Sequence, residues 1–162
     1  MKLVSQLACM ALASALAAGT ATAGLLDSPP PDFGATARAT VVYRMGPIHY
    51  EPGGWVDTTV TCNNLASSAS RVAFEVFDDN DHLAGQPTDV TVEAGAAVTF
   101  ATSSDADAPG ATVVRSLPPI DHGKARVSAS TNQLSCTGTN RMRAADGSVK
   151  EAALELVKKV AY

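Results

Sequence analysis

Four groups of residues carry side chains able to do chemistry. Met45 and His49, in Met45-Gly-Pro-Ile-His49, offer with His82, His122 and Met142 the thioether and imidazole ligands that suit copper in an oxidising compartment. They are scattered along the chain rather than repeated at short spacings. Asp78, Asp79, Asn80 and Asp81 supply oxygens of the kind calcium takes from loops. Counted from Asp78, however, His82 stands where the calcium-loop pattern needs its third oxygen, and the plainer reading of the run is a tight turn. Asp121 and His122 are adjacent, and neighbours on an extended chain point to opposite sides, a poor arrangement for a base and its orienting group. No nucleophile elbow, zinc-binding His-Glu-x-x-His helix or phosphate-cradling glycine loop occurs. No catalytic residue and no cofactor are therefore expected. Tyr43, Tyr50 and Trp55 form the fourth group, beside Gly53 and Gly54. Exposed on the Met45–Trp55 loop, Tyr50 and Trp55 would anchor a partner; under a sheet end they would be core.

The elements that must position these groups read as strands. Val56, Thr58, Val60 and Cys62 alternate with Asp57, Thr59 and Thr61, the period-two pattern of a strand with one face buried, so Cys62 points inward. After a small polar run, Val72, Phe74 and Val76 share a face opposite Arg71 and Glu75, and the whole reads as an antiparallel meander closing at the acidic turn. Leu134 and Cys136 also share an inward face.

The first 23 residues combine Lys2, an uncharged apolar stretch and Ala21-Thr22-Ala23, the signature of a secretory signal peptide cut before Gly24. Its apolar run of about 16 residues is shorter than the roughly 20 that span a bilayer, and Cys9 lies too deep within it for lipoprotein cleavage. No stable membrane insertion is expected after cleavage, and the exported chain is expected in the periplasm or outside the cell. Two cysteines then remain, Cys62 and Cys136, and in an oxidising compartment such a pair is expected to be joined. The chain has 12 basic and 16 acidic residues, a formal net charge of −4. That balance, without a basic run, disfavours nucleic acid as a partner.

Residues 24–39 contain Pro29, Pro30 and Pro31 and read as a stiff extended leader. Residues 40–162 read as one β domain. Thr40 to Tyr43 is a short strand, followed by a Pro- and Gly-rich loop to Gly54. Val90 to Glu93 and Ala97 to Thr102 flank a tight connection, and Val113 to Ile120, ending in two prolines, is at best an edge strand or a crossover. Lys124 to Ala129 alternates Ala125, Val127 and Ala129 inward with Lys124, Arg126 and Ser128 outward. From Ser148 onward two readings compete. Ser148 and Glu151 fit a capping box before a short helix, while Asp146-Gly147 fits a hairpin turn before a closing strand paired with the Cys136 strand. Six or seven short strands with one disulfide argue for an all-β, two-layer antiparallel sandwich.

With its two inward cysteines in opposed strands and the meander between them, the chain resembles in general plan the immunoglobulin-like and fibronectin-type-III-like sandwiches of exported bacterial proteins. The only tryptophan, Trp55, precedes Cys62 rather than lying between the cysteines. The resemblance implies a scaffold without a set reaction. The expectation is an exported, non-catalytic binding or structural module whose partner is another exported protein or a cell-surface component. The alternative is a metal-binding accessory protein using calcium or copper.

Overall fold

The computed structural model describes residues 28–34, 37–53, 56–104 and 108–159. The expected signal peptide and Trp55 lie outside the described residues. Among the described residues, ten strands form two five-stranded sheets: β1 (Thr40–Tyr50), β2 (Val56–Asn64), β3 (Ser70–Phe77), β4 (Leu83–Val92), β5 (Ala97–Ala101), β6 (Thr112–Val113), β7 (Ile120–Ala129), β8 (Leu134–Arg143), β9 (Val149–Ala153) and β10 (Glu155–Lys158). The first sheet runs β10-β1-β7-β3-β4 and the second β6-β5-β2-β8-β9, with all pairings antiparallel except β5 with β6. No helix occurs among the described residues. The expected two-layer β-sandwich is what the chain forms.

The inward alternations hold. Val60, Cys62, Val72, Phe74, Val76, Ala125, Val127 and Ala129 are fully buried in one core between the sheets. There the rings of Phe74 on β3 and Phe100 on β5 stack across the layers with centroids 5.4 Å apart. Tyr43, also core, sends its hydroxyl to the Leu134 carbonyl at 3.0 Å and so links one sheet to the other.

Two connections differ from the sequence reading, and a third decides between its alternatives. β2 and β3 do not form a meander but lie in opposite sheets, as do β4 and β5. Asn64 is the reason. Fully buried at the end of β2, it donates from Nδ2 to the carbonyls of Ser68, Val92 and Glu93 at 2.9–3.2 Å, while its Oδ1 accepts the Ala66 N–H. One side chain thereby satisfies the backbone of both crossings, which alternation within a strand does not reveal. Second, the expected loop after Tyr43 is strand: β1 runs through to Tyr50 in the sheet interior, taking Pro47 through a cis Gly46-Pro47 bond where its register against β7 shifts. A residue without an amide donor fits an interior strand at such an irregularity.

Third, the competition after Ser148 goes to strand. Asp146 accepts the Ser148 N–H, Gly147 adopts a φ of 82°, and β9 pairs with β8 from Arg143–Val149 to Thr139–Ala153, the hairpin alternative. Leu154 then crosses into the core, its N–H bonded to the Gly138 carbonyl, and β10 continues as the edge of the other sheet against β1. Gly138 permits this passage, since a Cβ there would stand 2.9 Å from a Leu154 methyl. A short helix would keep local hydrogen bonds but leave β8 and β1 with open edges; the strands pair with both.

Cys62 and Cys136 are joined, opposite one another in the register of β2 and β8 with Cα atoms 4.1 Å apart. The bond therefore staples neighbouring strands of one sheet and does not span the layers.

The outward face of the first sheet is not wet, contrary to the alternation argument. On it Arg126 and Ser128 of β7 and Ala73, Glu75 and Phe77 of β3 are all buried. Residues 28–34 and 37–39 lie across this face as a strap. Arg126, 1% exposed, binds Glu75 at 2.7 and 3.1 Å, lies over the Phe77 ring, and gives two further N–H groups to the carbonyls of Ser28 and Pro29 at 2.6 and 3.0 Å. Arg71 lies over the Phe33 ring, donates to the Phe33 carbonyl at 2.8 Å and pairs with Asp89. Phe33 is buried against Ala39 and Ala73.

Removing one partner of a buried ion pair strands the other charge. Arg126→Ala is expected to lower unfolding free energy by about 3–5 kcal/mol, and the double variant Arg126→Met/Glu75→Leu to recover most of that loss. Urea denaturation of both decides it; equal losses would show that packing, not charge, carries the contact. Reduction of the disulfide, which closes a loop with a separation of 74 residues, is expected to cost about 4 kcal/mol in the same assay.

Candidate functional site at one end of the sandwich

Strand direction places most of the chemistry-bearing residues at one end. β1 and β3 both run antiparallel to β7, so the end of β1, the turn after β3 and the start of β7 meet. This brings together His49 and Tyr50, the Asp78–Asp81 turn, and Asp121 and His122. A cleft of about 320 Å³ opens between them, lined by His49, Tyr50, Glu51, Val56, Asp79 and Asp121 with Pro119 and Ile120.

The floor is held by a polar cluster that carried no functional signal in the sequence. Thr58, fully buried on β2, accepts the His49 N–H at 3.2 Å on its hydroxyl and stands 2.6 Å from Asn140 Oδ1. Its backbone exchanges hydrogen bonds with Thr102, N–H to the Thr102 hydroxyl at 2.8 Å and carbonyl to the Thr102 N–H at 3.0 Å. Asn140 Nδ2 donates to the Pro47 carbonyl at 3.0 Å. The alternation of β2 does place Thr58 inward, but its partners come from β1, β8 and the segment after β5, which no local pattern links.

Each acidic residue of the turn has its own task. Asp78 Oδ1 accepts the N–H groups of Asn80 and His82, both at 2.9 Å, closing the loop, with Asp81 at a φ of 63°. Asp79 Oδ1 accepts the His122 N–H at 2.9 Å and ties the turn to β7. Asp81 pairs with Lys124 at 2.6 Å. The three carboxylates thus hold Asn80 and His82 within the turn, and His122 and Lys124 on β7.

The imidazoles do converge in part. His49 and His122 approach edge-to-face with centroids 5.8 Å apart, and Asp121 lies beside both, 3.8 Å from Nδ1 of His49 and 3.1 Å from Nδ1 of His122. Asp121 and His122 are adjacent yet in contact because both are largely exposed and free to turn toward each other. Met45 is buried in the core opposite Ala125 and Leu156, and Met142 is 55% exposed on β8, so the methionines do not share one exposed face with the histidines. Among the described residues no group of three or more His, Cys, Asp or Glu side chains is arranged to hold a metal ion.

Tyr50 is partly buried against the core and lines both this cleft and a neighbouring depression of about 540 Å³ floored by Thr102, Ser103 and Val114. Its position joins the two readings of the aromatic group: part core, part surface. No family model, curated protein or solved structure matches the chain.

The electrostatics of the turn are testable. The His82 N–H bond, foremost, holds the Asp78 carboxyl below its ordinary value of 3.8; partial burial opposes the shift, and the Asn80 N–H and the His82 side chain assist it. A carboxyl depressed in the folded state contributes stability that is present above its unfolded pKa and lost as pH falls through the folded value. Asp78 is therefore expected to titrate below 3.8 in a carbon-detected NMR titration, and Asp78→Ala to flatten the acid limb of the stability curve below pH 4. A titration at or above the ordinary value would mean that the loop bonds do not persist in solution.

Proposed function

We propose that this protein is an exported, non-catalytic β-sandwich that works as a binding or structural module for another exported protein or a cell-surface component. The observation that carries the reading is how its polar side chains are used. Glu75 with Arg126, Asp78, Asp79, Asp81 with Lys124, Asn64 and Thr58 each hold one strand, turn or crossing to another. Groups of the kinds that elsewhere do acid–base chemistry are here spent on shape. The disulfide is compatible with an oxidising compartment, which supports export to the periplasm or beyond. Tyr50, at the junction of two depressions, is the anchor for the partner, because an amphipathic ring half in the core presents a rigid edge at little entropic cost.

Photo-crosslinking from position 50 in the native host, followed by mass spectrometry of the adduct, is expected to give one dominant exported or surface partner. Tyr50→Ala is expected to weaken its capture at least tenfold while shifting the melting temperature by only a few degrees. Undiminished capture by a folded Tyr50→Ala chain would remove the site.

A second reading, a metal-binding accessory protein, is favoured by one observation, the approach of His49 and His122 around Asp121. It requires those side chains to turn toward a common point, and it would show as a melting temperature raised by copper and restored by chelator.

A further inference from the structure

The strap that covers the first sheet is held largely through its main chain. Two arginines, Arg126 and Arg71, take three of its main-chain carbonyls, those of Ser28, Pro29 and Phe33. One side chain, Phe33, supplies the apolar anchor against Ala73. The prolines between these contacts stiffen the segment before it docks. A pre-extended, proline-stiffened backbone laid into a groove that includes an aromatic ring, here Phe77, is also how grooves bind proline-rich peptides in trans.

The groove also holds a polar group that the strap leaves unserved. Ser128 stands on the same outward face, between Val41 and Ala73 in the register, fully buried, and its hydroxyl has no hydrogen-bond partner among the described residues. Buried hydroxyls are normally paired, so the strap fills the groove without satisfying it.

We propose that the outward face of β3 and β7 is a peptide-binding groove, that residues 28–34 and 37–39 are its displaceable plug, and that its ligand is an extended, proline-containing segment of another exported chain. That ligand presents carbonyls to Arg126 and Arg71, an aromatic ring in the place of Phe33, and a polar group to Ser128. Displacement carries no stranded charge with it, because Arg126 keeps Glu75 and water replaces the strap carbonyls. The groove is separate from the cleft at Tyr50, so either site can fail without the other.

A labelled peptide of residues 28–39, titrated into the mature chain 24–162 and followed by anisotropy, tests this. A tethered plug acts at an effective concentration of about millimolar, so binding to the unaltered chain is expected only in that range. Phe33→Ala in the protein weakens its own plug, and binding is expected to tighten at least tenfold; adding Arg71→Ala is expected to reverse the gain. A Phe33→Ala chain that melts cooperatively yet binds no peptide would overturn the proposal. Hydrogen exchange on the unaltered chain tests it without substitution: strap amides at 33, 34 and 37 are expected to exchange at least tenfold faster than those of Val72 and Val127, and equal rates would overturn it. Concentration-dependent dimers dispersed by the peptide would give the groove to the strap of a second copy and sink the separate partner.

Discussion

A buried arginine on the outer face of a sheet cannot be left to itself, and much of this fold follows from Arg126. Its charge is balanced by Glu75 across the β7–β3 pairing, but two guanidinium nitrogens remain with donors in an apolar setting beside Phe77. Burial of such a group costs more than the pairing returns unless the other donors are served. The carbonyls of Ser28 and Pro29 serve them, so the leader is drawn across the sheet. Phe33, Ala37 and Ala39 follow it over Ala73. The first sheet is consequently covered on both faces, while the second turns one face to solvent.

The second constraint lies in β2, where the fully buried part of the inward row begins with Thr58 and ends with Asn64. Both are fully buried and polar, with the apolar Val60 and Cys62 between them. Thr58 fastens the last part of β1 to the second sheet, and Asn64 fastens the two crossings at the opposite end. In a low-dielectric interior, satisfied networks of this kind specify one arrangement of loops more sharply than apolar contact does. The cleft at His49 and Tyr50 inherits its shape from the first of them.

Legibility in the sequence followed the range of the interaction. The Asp78–Asp81 turn, Thr58 inward and the paired cysteines were readable, because each depends on alternation, turn chemistry or cysteine arithmetic. The alternation places Arg126 outward, since period two reports only that it faces away from Val127. What covers that second face comes from residues almost a hundred positions earlier. Likewise His49 and His122 are 73 positions apart, and only the pairing of β1 with β7 sets them side by side.

By itself the sequence determined the all-β class, the inward rows of β2, β3 and β7, and the turn residues, because backbone geometry imposes these on neighbours. Tertiary structure alone decided that β2 and β3 part into different sheets, that the disulfide staples one sheet, and that the leader becomes a strap. It also decided that the segment after Ser148 is strand. The physical reason is common to all four: local propensities leave several conformations close in energy, and buried polar groups and open sheet edges find their hydrogen-bond partners only in the complete fold.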